Sequence, residues 1–522
     1  MLLRPAINRN PRKIQNSGVA SMPAPIGGWN ARDSIAAMDI KDAVILDNMF
    51  PTTSDVMVRE GYAQWATGLP GGQVESLLVY NGPVTQRLFG ACGTEIYNVT
   101  SSGAVGAAES ATLTNDRFQH VNISTSGGNY MYSVNGVDDP LLYDGTTWTS
   151  INGASVPAIT GVTTASLIHV NLFKNRLWFT EKASLNVWYL PVNSIGGAAS
   201  KLDFMSIARR GGYLIGMATW TVDAGAGIDD YAVFFTSEGE IIIYQGTDPS
   251  SATTWALKGV WQIGAPLGRR CFGKLGGDVL DITIDGLLPL SKALLSSRVN
   301  PRIALTDKIE GAMGTAAGLY SANFGWDVCL FPKGSQLILN VPVASGSQQQ
   351  YVMNTITGSW CRFLDIPANC WALFQDIPYF GGDGYVGKYS GYKADNSNNI
   401  DAEAEQAFSH FGSPGRKKLW KLARPIFSSD GTPSVAAILN TDYATDPPTA
   451  TLTFTPSTAA SWDVSEWDES VWGGGLSIIK NWQKLGAAGI AGAIHIKIAQ
   501  KDIETRWAGT DFVYEAGGTV GA

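Results

Sequence analysis

The sequence predicts an all-β protein: a β-propeller of six blades with degenerate repeats, an N-terminal extended arm and a C-terminal β domain. Three observations lead there. The first is a repeated unit, made of an apolar strand, a Gly turn, a strand ending in an aromatic, and a polar turn followed by Trp. It is clearest in residues 133–151, where Asn135-Gly136 and Asp144-Gly145 are tight-turn dipeptides whose members tolerate positive φ. Leu141-Leu142-Tyr143 between them is apolar, Pro140 turns Asp139 away from helix, and Trp148 offers a large apolar face after the second turn. The second observation is spacing. The strand-ending aromatics Tyr97, Tyr143, Tyr189 and Tyr244 lie 46, 46 and 55 residues apart, and a four-stranded blade takes roughly 40 to 50 residues. The third is composition, with 59 Gly, 17 Trp, 18 Tyr and 19 Phe in 522 residues and only 16% charged side chains. Such a chain favours strands and turns over salt bridges.

The same unit recurs as Gly93 to Tyr97 and as Glu238-Gly239 to Tyr244, and more loosely as Asn186 to Tyr189, Tyr351 to Met353 and Gly384 to Tyr389. The interval from Tyr244 to Met353 is about twice the spacing, and Asp285-Gly286-Leu-Leu-Pro supplies a unit inside it. The count lies between five and seven blades and centres on six; the alternative is an irregular β-sandwich whose turns look alike.

In chain order, residues 1–64 carry no blade pattern. Arg4, Arg9, Arg12 and Lys13 make a basic extended stretch, read either as a docking arm or as a loose terminus. Residues 42–50 place Ala43, Leu46 and Phe50 on one helical face, which predicts a short helix ending before Pro51. Val56 to Tyr62 reads as a strand running into the propeller, which is expected over 65–400. Residues 291–302 break the β pattern as a short helix or inserted loop, a place where a partner would bind. Residues 401–408 are acidic and helix-compatible. A second β domain is placed at 405–522, with a hairpin over 425–440 and a half-buried strand at Ile494 to Ile498, where apolar and polar residues alternate.

Net charge is −8 and the isoelectric point is near 5.2, against a protein that grips nucleic acid by its phosphates. Cys92, Cys271, Cys329, Cys361 and Cys370 show no CxxC spacing, so buried free thiols are expected rather than zinc. The start lacks a signal-peptide core and no run reaches the ~20 apolar residues of a membrane span.

Chemistry is thin. Asp138-Asp139, Asp229-Asp230 and the group Asp463, Glu466, Asp468 and Glu469 are the carboxylate candidates for glycosidase work, each weighed as a turn cap or solvated face. Asp144-Gly-Thr-Thr-Trp148 resembles part of an Asp box, a folding element of blade hairpins. Catalysis of the sialidase type would need arginines and a tyrosine converging in one mouth. His120, His169, His410 and His495 lie far apart without metal-ligand spacing, and Gly473-Gly-Gly475 lacks the Lys-Ser/Thr of a phosphate loop. No catalytic, metal or cofactor site is expected. The one dense basic run is Arg416, Lys417, Lys418, Lys421 and Arg424 around Trp420, five cations in nine residues. It is read as a subunit or ring interface, together with Trp29 and Arg32, or as a solvated linker face. Gly136, Tyr143, Asp144, Gly145 and Trp148 are read as blade turn and packing residues.

Eight stretches stand out together: Gly27-Gly-Trp29-Asn30-Ala-Arg32-Asp33, Asp42 to Pro51, Arg59-Glu-Gly-Tyr62, Asn135 to Trp148, Phe411 to Lys418, Trp462 to Asp468, Val471 to Gly475 and Trp507 to Glu515. In these the chain resembles the tail nozzle proteins of short-tailed bacteriophages, also called tail tubular protein B or packaged-DNA stabilisation proteins. The resemblance spans most of the chain, though each motif alone is a turn or packing motif. It implies a non-enzymatic virion protein, assembled in the host cytoplasm into a ring of six below the portal and tail adaptor. Genomic DNA would pass through that ring without specific binding, and tail fibres are a further possible partner. The rival expectation is a carbohydrate-binding or carbohydrate-active propeller that reads a host glycan.

Overall fold

The computed structural model describes residues 17–221, 230–296, 298, 300–449, 451–452 and 476–519. Six sheets follow one another along the chain as blades, antiparallel except where Gly103–Ala104 pairs parallel with Gly61–Thr67 in the last. Blade 1 comprises Val74–Asn81, Gln86–Cys92 and Glu95–Asn98, and blade 2 comprises Gln119–Thr125, Gly128–Val134, Leu141–Tyr143 and Trp148–Ser150. Blade 3 runs from Leu167–Phe173 to Ser200–Asp203 and blade 4 from Leu214–Thr221 to Trp255–Gln262; blade 5 comprises Phe272–Leu275, Asp278–Thr283 and Gly286–Pro289. Blade 6 comprises Trp371–Phe374, Ile377–Gly381 and Tyr385–Tyr392.

Between blades 5 and 6 the ring is completed by the strands Asp327–Phe331, Gln336–Ala344, Ser347–Asn354 and Trp360–Phe363, which are one arm of a nine-stranded sheet. Blade 6 is closed by Gly61–Thr67, which precedes blade 1 in sequence and pairs antiparallel with Tyr385–Tyr392. Joining the two ends of the ring in one sheet leaves no open edge between first and last blades. The first strand of each blade packs against the first strand of the next along much of the ring, so these strands line the axis.

The predicted unit marks the third strand of its sheet in every case. Tyr97, Tyr143, Tyr189 and Tyr244 occupy those strands in blades 1 to 4, Gly286–Pro289 in blade 5, Met353 in the shared arm and Tyr389 in blade 6. Tyr143 shows why an aromatic belongs there. It is fully buried, with ring centroids 4.9 Å from Phe89, 5.1 Å from Tyr80 and 5.0 Å from Trp148, so it glues blade 2 to blade 1. Its turn is held by Asp144, whose Oδ1 accepts the N–H groups of Thr146 and Thr147 at 2.8 and 2.7 Å. Gly145, at φ 98°, leaves no room for a side chain, because a Cβ would sit 2.7 Å from the Tyr80 hydroxyl. Gly136, at φ 78°, is pressed equally close to Ile168 of blade 3.

The second unit is a pair of packed sheets. One is the far part of the nine-stranded sheet, Asp42–Asp47, Ile400–Gln406, Gly492–Gln500 and Ser434–Thr441. The other contains Ser17–Pro23, Thr505–Thr519, Arg416–Ser429, Gln483–Gly489, Ser477–Ile479, Val56–Val58 and Met49–Pro51. Trp420, Trp507, Phe512, Ile494 and Ile496 fill the space between, in one apolar cluster continuous with the shared arm.

Several expectations are corrected here. Residues 42–50 are not helical: Asp42–Asp47 pairs with Ile400–Gln406, and Asn48 at φ 54° breaks the strand before Met49–Pro51. The Val44-Ile45 pair suits a pleated, buried surface better than the helical face it also permits. The 401–408 stretch is not helical either: it lies mostly in the strand Ile400–Gln406, where Ala402 and Ala404 alternate inward in period two. The 425–440 hairpin does not form: Arg416–Ser429 and Ser434–Thr441 lie in different sheets. The N-terminal segment is no detached arm from residue 17 onward. Ser17–Pro23 pairs with Thr505–Thr519, and Arg59 is buried with its guanidinium on Asp395 at 2.8 and 2.6 Å and on Asn48 at 2.8 Å. The Ile494 to Ile498 strand exists with Ile494, Ile496 and Ile498 buried and Lys497 partly exposed on its polar side, but His495 on that side is enclosed beside Glu403 at 2.7 Å. Residues 291–302 include the helix Leu290–Ser296, as the break in pattern predicts.

Candidate functional site

Two places concentrate charge. The first is the basic run, which forms part of the 14-residue strand Arg416–Ser429. Strand alternation splits it. Lys418 and Trp420 point inward; Trp420 is fully buried, and Lys418 is enclosed with its ammonium donating to the carbonyls of Ser413, Arg416 and Ile490 at 2.7, 3.1 and 2.8 Å. Neither can meet a partner, which corrects their assignment to an interface. Arg416, Lys417 and Lys421 face out, Lys421 in an ion pair with Glu515. Arg424 pairs with Asp511 at 2.5 Å and lies 4.7 Å over the ring of Trp482. Trp29 is also removed from any interface: it is buried, 5.4 Å from Tyr351 and beneath Arg362. Arg32 is committed to Asp33 and Asp307 within the chain.

The face that remains outward is mixed. Opposed residues of an antiparallel ladder point to the same side, and the register sets Val19, Val513 and Leu422 in one row and Ser21, Asp511 and Arg424 in another. Val19 is 72% exposed, Ile478 60%, Trp482 42% and Leu419 41%. Among the described residues Ser17–Pro23 pairs on one side only, with Thr505–Thr519.

The second place was not singled out from the sequence. After blade 4 the chain crosses toward the axis, and Gly268 at φ 74°, pressed against Trp326, turns Arg269 and Arg270 inward. Arg270 Nη2 donates to the Glu75 carbonyl at 2.8 Å, the Ser76 hydroxyl at 2.6 Å and the Phe118 carbonyl at 3.2 Å. Arg269 Nη2 donates to the Ile168 carbonyl at 2.9 Å, and its own carbonyl accepts from Gln119 Nε2 at 2.6 Å. The two arginines thereby tie blades 1, 2 and 3 across the axis. Arg117 joins them: its guanidinium lies 4.3 Å and that of Arg270 5.1 Å over the ring of Phe324, and Arg117 pairs with Glu75.

A cavity of about 220 Å³ opens here, lined among others by Phe118, His120, Arg269, Arg270, Phe272 and Trp371. Burial pulls Arg269 down to about 10, with the charges of Arg270 and Arg117 adding to the effect. Burial pushes Asp327, on the same wall, up to about 6 against the pull of Arg270. Asp116 is likewise pushed up to about 6 by burial and by the nearby Glu75 carboxylate. His120 accepts the Val79 N–H at 3.1 Å and is held down to about 4 by burial and by Arg270; burial also lowers His169, which donates to the Met217 carbonyl at 2.9 Å. Both imidazoles are neutral packing elements at pH 7. Among the described residues no tyrosine lines the cavity.

The other candidates take structural places. Asp138 caps a turn, accepting from Thr114 N–H at 2.8 Å and Asn135 Nδ2 at 2.6 Å, and Asp230 pairs with Lys174 at 2.6 Å. Asp229, Asp463, Glu466, Asp468, Glu469 and Gly473 to Gly475 lie outside the described residues, as do Arg4, Arg9, Arg12 and Lys13. All five cysteines are buried and unbridged, and burial pushes Cys92 and Cys370 up to about 12. Among the described residues no group of three or more His, Cys, Asp or Glu side chains is arranged to hold a metal ion, and no helix is long and apolar enough to cross a membrane.

No family model matches the sequence, and no curated protein matches it. Solved structures do. The chain is similar to BBS1N, solved in complex with ARL6DN, at 10% identity and a TM-score of 0.40, over 65% of this chain and 99% of that one. It is similar to the β-propeller domain of Myceliophteria thermophila Cps50 (Swd1) at 11% identity and a TM-score of 0.39, over 63% of this chain and 99% of that one. Saccharomyces cerevisiae Sqt1 is similar at 9% identity and a TM-score of 0.38, over 66% of this chain and 86% of that one. The propeller itself is established by the strand pairing.

Proposed function

We propose that this protein is a structural subunit of a short-tailed phage tail, the nozzle, which assembles as a ring of six below the portal and adaptor and prolongs the path of the ejected genome. The observation that carries this reading is the outward face of the sheet containing Ser17–Pro23, Thr505–Thr519 and Arg416–Ser429. It sets exposed Val19, Leu419, Ile478 and Trp482 among cross-strand ion pairs, beside a strand edge that is unpaired among the described residues. Apolar groups rimmed by paired charges and an unpaired edge are the makings of a subunit contact. A channel between subunits also accords with the propeller axis, which Arg269 and Arg270 cross by bonding to three blades and so close to a duplex. The protein acts mechanically in this reading, without catalysis or cofactor, and DNA slides past a surface whose net charge is acidic. Adaptor and fibres are its further partners, and the virion tail, assembled in the host cytoplasm, is its location.

Light scattering after gel filtration, with negative-stain imaging, tests the proposal on the chain alone and mixed with its adaptor ring. Rings of six are expected. Monomers in both preparations at about 10 μM would reject it, since subunit contacts of standard size hold well below that concentration. The second reading, a propeller that reads an acidic glycan, is favoured by one observation, the arginines gathered at the axial mouth.

A further inference from the structure

The axial mouth carries a charge arrangement that ring assembly does not use. Arg117, Arg269 and Arg270 converge there, and Glu75 forms an ion pair with Arg117 alone. Arg269 spends one N–H on Ile168, and Arg270 spends Nη2 on three acceptors of blades 1 and 2, while Arg270 Nη1 is buried with no partner among the described residues. A buried guanidinium N–H without an acceptor has given up its hydration without replacement, and an acceptor brought within its reach would restore the lost hydrogen bond. Part of the wall is apolar: Phe118, Phe272 and Trp371 line the 220 Å³ cavity beside His120 and Asp327, and the guanidinium groups of Arg117 and Arg270 lie over the ring of Phe324.

We propose that this mouth is a binding site for a small carboxylate. Arg270 Nη1 and the unspent edge of Arg269 supply charge-assisted donors, and Phe272 and Trp371 supply walls for the body that bears the anion. A guanidinium presents its N–H groups in a planar fork that matches a carboxylate two-to-two. Inorganic phosphate shares the charge but not the planarity, and the test separates them. The facing acids, Glu75, Asp116 and Asp327, do not fill the site: Glu75 is held by Arg117, Asp116 accepts from the Gly93 N–H at 2.8 Å, and Asp327 accepts from the N–H groups of Val328 and Trp371 at 2.9 and 3.2 Å.

Isothermal titration calorimetry of the full chain tests this at fixed ionic strength, with sodium benzoate, sodium glucuronate and inorganic phosphate as probes and sodium chloride as the control. One saturable site for a carboxylate is expected, with affinity in the millimolar range or better. Arg270→Lys should weaken it at least tenfold. Because Arg270 also braces blades 1 and 2, Arg269→Gln is the second variant; it surrenders one bond to Ile168, should leave Tm within a few degrees, and should also weaken binding about tenfold. Benzoate bound over glucuronate would point to an aromatic acid as the source, and the reverse to a sugar acid; either supports the site. No saturable heat to about 10 mM, phosphate bound in place of both carboxylates, or binding unchanged in both variants would overturn it. None of these results depends on whether the chain forms rings.

Discussion

Two arginine-bearing regions of this molecule look alike in charge and differ in everything else. The run from Arg416 to Arg424 holds five cations in nine residues, yet the fold disperses it: Lys418 turns inward onto carbonyls, and Lys421 and Arg424 are answered by Glu515 and Asp511. Arg269 and Arg270 are two residues in a Gly-Pro-rich turn, and the fold concentrates them, adding Arg117 from 152 residues away with one ion-paired carboxylate among the three. Charge density along a chain is therefore a poor guide to charge density in space. A strand sends alternate residues to opposite faces, whereas a propeller axis collects side chains from every blade.

Four substitutions sharpen or break that contrast, in descending order of effect. Arg270→Ala should cost about 3 kcal/mol or more of stability by urea denaturation, because it orphans two carbonyls and a hydroxyl that bridge blades 1 and 2. A loss under about 1 kcal/mol would mean the axis is not braced through this residue. Lys418→Met keeps the stem but removes an ammonium shared by three carbonyls, and should cost about 2 kcal/mol in the same measurement.

Asp327→Asn should act through pH. The native carboxyl titrates near 6 against 3.8 when free, so between those values the folded state binds more protons than the unfolded state, and stability falls as pH rises through the window. The variant lacks that loss, so its stability relative to wild type should improve by about 1–2 kcal/mol from pH 4 to pH 7, read from urea midpoints at both pH values. Asp116, shifted in the same direction, keeps part of the slope in the variant. Lys421→Ala, by contrast, removes an exposed partner of Glu515 and should change monomer stability by less than about 0.5 kcal/mol. An effect above 2 kcal/mol would show that the outward face is already doing structural duty within one chain.

Much of the propeller was readable because its signal is local. Asn135-Gly136 and Asp144-Gly145 need nothing beyond their own backbone to turn, and an aromatic at the third strand recurs since each blade must pack on its neighbour. The helices expected at 42–50 and 401–408 failed for the opposite reason. Both segments tolerate a helical period, and their pairing with each other, about 360 residues apart in sequence, selects the strand. Arg269 and Arg270 carried a faint signal, a Pro-Leu-Gly turn followed by two cations between strands, with nothing to say where the turn was aimed.

By itself the sequence determined the class, the repeat, and the turns and aromatics that build each blade, since all of these follow from the conformational limits of a few adjacent residues and the need to bury large rings. Only the tertiary structure decided that the first described strand closes on the last, that the basic run is split across a sheet, and that three arginines meet at the axis. Those are contacts between distant segments, and their energies exist only once loop closure has brought the partners together.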